Sequence, residues 1–119
     1  MSTRLLLTAS AIVLGVAGLA GIFAPDEVIG AIGAVNTRPL RLIIELFGAA
    51  FFGFALVNWS ARGSLIGGIY NRPLALGNVA HFVIGAFASS KAGIWPAAIV
   101  YAIFAVAFGR LFFWSPVKQ

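Results

Sequence analysis

The strongest constraint on this chain is a series of four long apolar runs separated by short polar breaks. An apolar helix of about 20 residues spans the hydrocarbon core of a bilayer. Backbone groups in lipid must pair within their own segment, so such runs are expected to be helices. The sequence therefore predicts one all-α domain over 1–119, an antiparallel bundle of four transmembrane helices. The spans are expected at about residues 4–24, 38–59, 71–90 and 93–114.

Composition favours lipid as the surroundings of this bundle. Of the 119 residues, 61% are hydrophobic and 9% are charged, whereas soluble chains average about 25% charged residues. The net charge of +5 comes from basic residues that are scattered singly, so we expect no nucleic-acid partner. The absence of cysteine excludes disulfides and thiolate metal sites.

The breaks between the runs carry the expected boundary signals. The first run ends at Ala24-Pro25-Asp26-Glu27 and is longer than the apolar part of a signal peptide, which favours a retained helix. Residues 26–35 are predicted to form a short interfacial helix, and Thr37 is the expected N-cap of the second span. Residues 64–69 are expected to form a loop against the membrane. The short third connection predicts a helical hairpin.

Arginine and lysine placement favours an orientation with both termini in the cytoplasm. With the N-terminus inside, five basic residues face the cytoplasm and three face outward. We therefore expect a multi-pass protein of the cell inner membrane. The inner group is Arg4, Arg62, Arg72, Arg110 and Lys118, and the outer group is Arg38, Arg41 and Lys91.

Small residues at helical spacing indicate where the helices pack. Lipid provides no hydrophobic drive between helices, so close backbone approach must hold them together. The second span has Ala49 and Gly53 four residues apart, one turn beyond Glu45. The first span has a longer row, formed by Ala11, Gly15, Gly18 and Gly21.

Polar residues within the spans are the candidate functional residues, because placing them in lipid is costly. At 1.5 Å per residue, Glu45 and Tyr101 lie roughly 10 Å inside their helices and His81 about 12 Å inside its own. These three side chains form one polar cluster if their helices turn the right faces inward. Asn78 shares a face with His81, three residues away. We hypothesise a ligand or proton site here; the alternative is structural hydrogen bonding.

Arg41 is four residues before Glu45, a spacing that permits an intrahelical ion pair in the less favourable order. The alternative is that Arg41 extends to the headgroups while Glu45 bonds another helix. His81 is the single histidine of the chain, which excludes bis-histidine haem or a multi-histidine metal site within one copy. We expect no cofactor, no metal and no catalytic residue, since no catalytic motif occurs.

Four segments together resemble a known group of proteins. They are Phe23-Ala24-Pro25, the start of the second span at Arg41, Glu45 and Gly48, residues 71–82 (NRPLALGNVAHF), and Phe108-Gly109-Arg110-Leu111. With these segments the chain resembles small bacterial four-helix membrane proteins of unknown function, the DoxX-like group and its relatives. The resemblance implies the four-helix fold and suggests no settled activity.

Three functions remain open from the sequence. The first is a non-enzymatic assembly module or accessory subunit that associates with itself or with a larger membrane complex. The second is a homo-oligomeric carrier or receptor for a small lipophilic or cationic ligand, with Glu45 as the charged anchor and His81 and Tyr101 as its hydrogen-bonding neighbours. The third is an intramembrane enzyme or redox subunit.

Overall fold

The structure is a computed structural model that describes residues 3–62 and 72–114. Those residues form helices and short connections, with no strand among them, which confirms the all-α fold class. Four of the helices are long and apolar enough to cross a membrane, so the chain is a membrane protein. The helices are α1 (Thr3–Phe23), α2 (Pro25–Ala31), α3 (Arg38–Ser60), α4 (Arg72–Lys91) and α5 (Trp95–Trp114).

The helix bounds agree closely with the polar breaks of the sequence. α2 occupies the predicted interfacial segment but ends at Ala31, four residues before the expected end. Thr37 is the N-cap of α3, as predicted, and its hydroxyl accepts a 3.2 Å hydrogen bond from the Leu40 amide. The expected loop at residues 64–69 lies outside the described residues.

The helices belong to two compact units. The first unit contains α1 from Leu7 onward, α2 and α3, and the second contains α4 and α5. The long helices α1 and α3 contact each other in the first unit, and α4 and α5 contact each other in the second.

In the first unit, α1 and α3 touch through their backbones at glycine. A Cβ atom on Gly48 would lie 2.7 Å from the carbonyl oxygen of Gly18, and a Cβ on Gly18 would lie 2.7 Å from the Phe52 amide nitrogen. No side chain fits at either position unless the helices separate. A Cβ on Gly21 would also lie close to α3, 3.1 Å from the Gly48 Cα. The small-residue row of α1 therefore is its contact face, as expected.

The contact face of α3 differs from the expectation. Gly48 and Ala55 are buried and pack against α1, whereas Ala49 and Gly53 are exposed, and a Cβ on Gly53 would meet nothing within 4 Å. Sequence spacing identified small residues but left open how the helix rotates about its axis. One residue of helix corresponds to a turn of about 100°, so Gly48 and Ala49 point in different directions.

α4 and α5 form the hairpin that the short connection predicted. Gly93 has φ +77°, the left-handed conformation that glycine adopts without steric cost. Its amide donates to the Ser90 carbonyl, and the Ile94 amide donates to the Ser89 carbonyl at 2.9 Å, which ends α4 in a Schellman turn. Gly33 (φ +75°) ends α2 in the same way.

Candidate functional site

His81 and Tyr101 form the polar centre of the α4–α5 hairpin. Nε2 of His81 and the Tyr101 hydroxyl share a hydrogen bond of 2.9 Å. The hydroxyl donates when Nε2 carries no proton and accepts when Nε2 is protonated. Both side chains are half-buried, and a polar pair within a membrane span gains from bonding to itself rather than facing lipid.

A cluster of phenylalanine rings surrounds this pair on one side. The Phe82 ring lies edge-on to the Tyr101 ring, with centroids 4.9 Å apart, and stacks on Phe108 at 5.7 Å. The centroids of the Phe82 and Phe104 rings are 5.0 Å apart. Phe82 and Phe108 are fully buried, so this cluster is the apolar core of the hairpin.

Gly85 makes room for the tyrosine ring. A Cβ on Gly85 would collide with Cδ2 and Cε2 of Tyr101. The ring thus lies directly on the α4 backbone, one turn beyond His81. This close approach fixes the position of the hydroxyl that meets the imidazole.

Asn78 is fully buried on α4, three residues before His81. Its side-chain amide donates to the Leu74 carbonyl at 3.0 Å, within its own helix. This bond satisfies a polar group that lipid would leave unpaired. A ligand-binding role for Asn78 stays a prediction.

Arg41 does not pair with Glu45, so the intrahelical ion pair that the spacing permits is not formed. Nε of Arg41 instead donates to Oδ1 of Asp26 on α2 at 3.0 Å. The Asn36 side-chain amide donates to the same oxygen at 2.8 Å. These exposed groups form a clasp between α2 and the start of α3. At this spacing the arginine-before-glutamate order is the weaker one.

The clasp stabilises the ionised carboxylate of Asp26. The hydrogen bond from Asn36 is the main cause that holds the pKa of Asp26 below its ordinary value of 3.8. Desolvation is the next largest effect and raises the pKa, whereas the hydrogen bond and the positive charge of Arg41 each lower it.

Glu45 is exposed on α3, seven residues after the helix begins. Among the described residues it has no hydrogen-bond or ion-pair partner. It lies in the unit that does not contain His81 and Tyr101, and its convergence with them stays a prediction. Ala49 and Gly53 follow at intervals of four residues on the same face of α3, and both are exposed. We call Glu45, Ala49 and Gly53 the Glu45 row.

A polar contact that the sequence analysis missed joins α1 and α3. The Asn58 side-chain amide donates to the Ser10 hydroxyl at 3.0 Å, and both residues are fully buried. The Ser10 hydroxyl in turn donates to the Leu7 carbonyl at 3.0 Å. Ser10 lies one residue before the small-residue row of α1, and this proximity was the signal available in the sequence.

No group of three histidine, cysteine, aspartate or glutamate residues capable of holding a metal ion occurs in the described parts of the chain. A phenol–imidazole pair can relay a proton or bind a polar group of a ligand. Other polar residues form separate contacts in the clasp and in the Ser10–Asn58 pair, whereas Glu45 is exposed.

No protein-family model, curated protein or solved structure matches this chain. The resemblance to the DoxX-like group stays a prediction.

Proposed function

We propose that this protein is a non-enzymatic assembly module of the membrane, which associates through α3 with a second copy of itself or with a helix of a larger complex. The observation that best supports this proposal is that Glu45 is an exposed carboxyl group with no partner among the described residues. It lies roughly 10 Å inside the span. An ionisable group at this depth is costly against lipid, and association with another helix lowers that cost.

The rest of the Glu45 row supports the same proposal. Exposed Ala49 and Gly53 leave a smooth strip on which another helix backbone can come close. α1 and α3 use the same principle at Gly18 and Gly48, where they are already in contact. The Glu45 row therefore combines a surface for close approach with a polar group that needs a partner.

Disulfide crosslinking tests the proposal, because the natural chain has no cysteine. We expect Ala49→Cys to form a disulfide-linked dimer in native membranes if the partner is a second copy. Ile43→Cys is the matched control, since Ile43 is also exposed on α3 but lies off the Glu45 row.

For a larger complex, the readout is a protein that co-purifies with the wild-type chain in mild detergent. Glu45→Leu and Gly53→Leu should each release it, whereas Phe47→Leu, at an exposed position off the row, should retain it. A wild-type chain that is monomeric and purifies alone, with no specific crosslink at Ala49, would refute the assembly module.

A second function is favoured by the His81–Tyr101 pair. We propose as the alternative a homo-oligomeric carrier or receptor in which this pair and Glu45 bind a small lipophilic or cationic ligand. The pair lies beside apolar aromatic walls, an arrangement typical of ligand sites. The intact mass of molecules that co-extract with the protein distinguishes the two functions. A ligand lost in Glu45→Gln favours the carrier, and an unchanged ligand profile contradicts it.

We further propose that the protein lies in a bacterial inner membrane with both termini in the cytoplasm. The uneven distribution of arginine and lysine between the two sides supports this orientation. Labelling of single cysteines by a membrane-impermeant reagent tests it: Lys91→Cys should react in intact cells and Arg62→Cys only after lysis.

A further inference from the structure

A groove runs along one side of the seam between α4 and α5. Its volume is about 410 Å³ and its walls are almost entirely apolar. Its lining combines alanines with large exposed apolar side chains. We call it the α4–α5 groove; it is lined by Val83, Ala86, Phe87, Ser90, Trp95, Ala98, Ile99, Ala102, Ala105 and Val106.

The length of the α4–α5 groove matches one leaflet of a bilayer. From Trp95 to Val106 the α5 helix rises by about 16 Å, and half of a hydrocarbon core is about 15 Å. The groove begins beside the α4–α5 turn, where Ser90 and the Trp95 indole mark the boundary expected for an interfacial tryptophan. It therefore extends from the membrane surface to about the midplane.

These dimensions suit an acyl chain better than a helix. A partner helix that spans the membrane would need a contact surface through both leaflets, and its diameter with side chains is about 10–12 Å. The volume of the groove falls instead within the range of small-molecule sites, about 300–1,000 Å³. A single lipid chain lies parallel to the helices and ends at the midplane, as the groove does.

Charge at the surface end of the groove selects the headgroup. Lys91 is the last residue of α4, is exposed, and directly follows Ser90, which lines the groove. Of the three basic residues in 72–114, Lys91 is the one beside the α4–α5 turn, and this range contains no aspartate or glutamate. The surface end of the groove is thus complementary to a negatively charged group.

We propose that the α4–α5 groove binds one acyl chain of an anionic glycerophospholipid, with the phosphate headgroup at Lys91 and the Ser90 hydroxyl. The lipid belongs to the leaflet on the side of the α4–α5 turn. This site is independent of the Glu45 row and of the assembly function.

Native mass spectrometry of the full chain tests the proposal with two lipids that differ only in headgroup, dioleoyl phosphatidylglycerol and dioleoyl phosphatidylcholine. One basic residue near an anionic surface contributes enough binding energy for about a fivefold preference. We expect the wild type to bind phosphatidylglycerol about fivefold more tightly, and Lys91→Gln to remove that preference.

A second variant tests the groove itself. Ala102→Trp fills the groove from an exposed position, and it should abolish binding of the tightly bound lipid. Ile103→Trp adds the same side chain at the neighbouring exposed residue outside the groove, and it should bind lipid like the wild type. Equal affinity for the two lipids, or unchanged binding in Ala102→Trp, overturns the proposal.

Fluorescence provides a readout within bilayers. In a Trp59→Phe, Trp114→Phe variant the remaining indole is Trp95, which lines the groove. Phosphatidylglycerol brominated on its acyl chains should quench it more than brominated phosphatidylcholine at equal mole fraction. Equal quenching by both lipids overturns the proposal, as does an Ala102→Trp variant that changes the oligomeric mass while retaining the lipid.

Discussion

Gly48→Ala is the substitution with the sharpest expected effect on the α1–α3 pair. Its Cβ would lie 2.7 Å from the Gly18 carbonyl oxygen, whereas ordinary van der Waals contact begins at 3.4 Å. The atoms nearest to this Cβ are backbone atoms of α1, so no side-chain rotation relieves the clash. The two helices must separate locally by the difference of these distances, about 0.7 Å, and such overpacking costs about 1–3 kcal/mol.

The separation also threatens the Ser10–Asn58 hydrogen bond. At 3.0 Å this bond does not survive a further 0.7 Å, because the limit for a hydrogen bond is near 3.5 Å. Hydrogen bonds between membrane helices contribute about 0.6 kcal/mol on average and up to about 1.7. If α1 and α3 move apart as rigid helices, we expect Gly48→Ala to lower the free energy of unfolding by about 2–4 kcal/mol.

The assay is reversible unfolding by dodecyl sulfate in mixed micelles, followed by circular dichroism. The control is Gly109→Ala on α5, away from the α1–α3 contact and from the Glu45 row, where the added methyl group meets nothing within 4 Å; it should be neutral or stabilising by up to about 1 kcal/mol. Adding Ser10→Ala to Gly48→Ala should cost less than Ser10→Ala alone, since the hydrogen bond is already lost. A Gly48→Ala protein as stable as the wild type would refute the close backbone contact between α1 and α3.

Three further predictions concern the hairpin and the clasp. Gly85→Ala should displace the Tyr101 ring and lower the free energy of unfolding by about 1–3 kcal/mol, measured in the same micelles. Tyr101→Phe removes the hydrogen bond to His81 and should cost about 0.6–1.7 kcal/mol in that assay. The pKa of Asp26 should lie below 3.8 in a carboxyl-carbon NMR titration and rise in Asn36→Ala. Because the folded-state pKa is lowered, the stabilising effect of the clasp is present above the unfolded pKa and is lost as the pH falls through the folded value.

Each of these predictions has an outcome that would contradict it. Gly109→Ala is the control for Gly85→Ala, because a methyl group there meets nothing within 4 Å, and equal stability of the two variants would argue against the tyrosine placement. On the Gly85→Ala background, Tyr101→Phe should have little further effect, and a full additional loss would show that the hydrogen bond had persisted. If the pKa of Asp26 is unchanged in Asn36→Ala, the hydrogen bond from Asn36 is not the cause of the lowered pKa.

The helices and their ends were predictable because the forces that set them are local. In lipid each backbone amide must bond within its own segment, so a long apolar run becomes a helix whatever its neighbours are. Thr37 caps α3 through a contact three residues away, and Gly93 ends α4 through contacts within five residues. The row on α1 that contains Gly18 was visible for the same reason, since one helix carries all its members.

The rotation of each helix about its axis could not be predicted from the sequence of that helix alone. On α3 the sequence predicted a contact face at Ala49 and Gly53, but contact with α1 selected the face that contains Gly48. Likewise Arg41 has the Glu45 carboxylate four residues later on its own helix, yet it pairs with Asp26, fifteen residues earlier. Both outcomes depend on residues that are far apart in the sequence.

The sequence by itself therefore determined an all-α membrane protein with four spans, their positions, and the polar residues within them. The tertiary structure alone decided that His81 meets Tyr101, that Asn58 meets Ser10, and that Glu45 stays exposed without a partner among the described residues. The physical reason is that helix formation uses bonds four residues apart, whereas the rotation of a helix about its axis is set by packing against another helix.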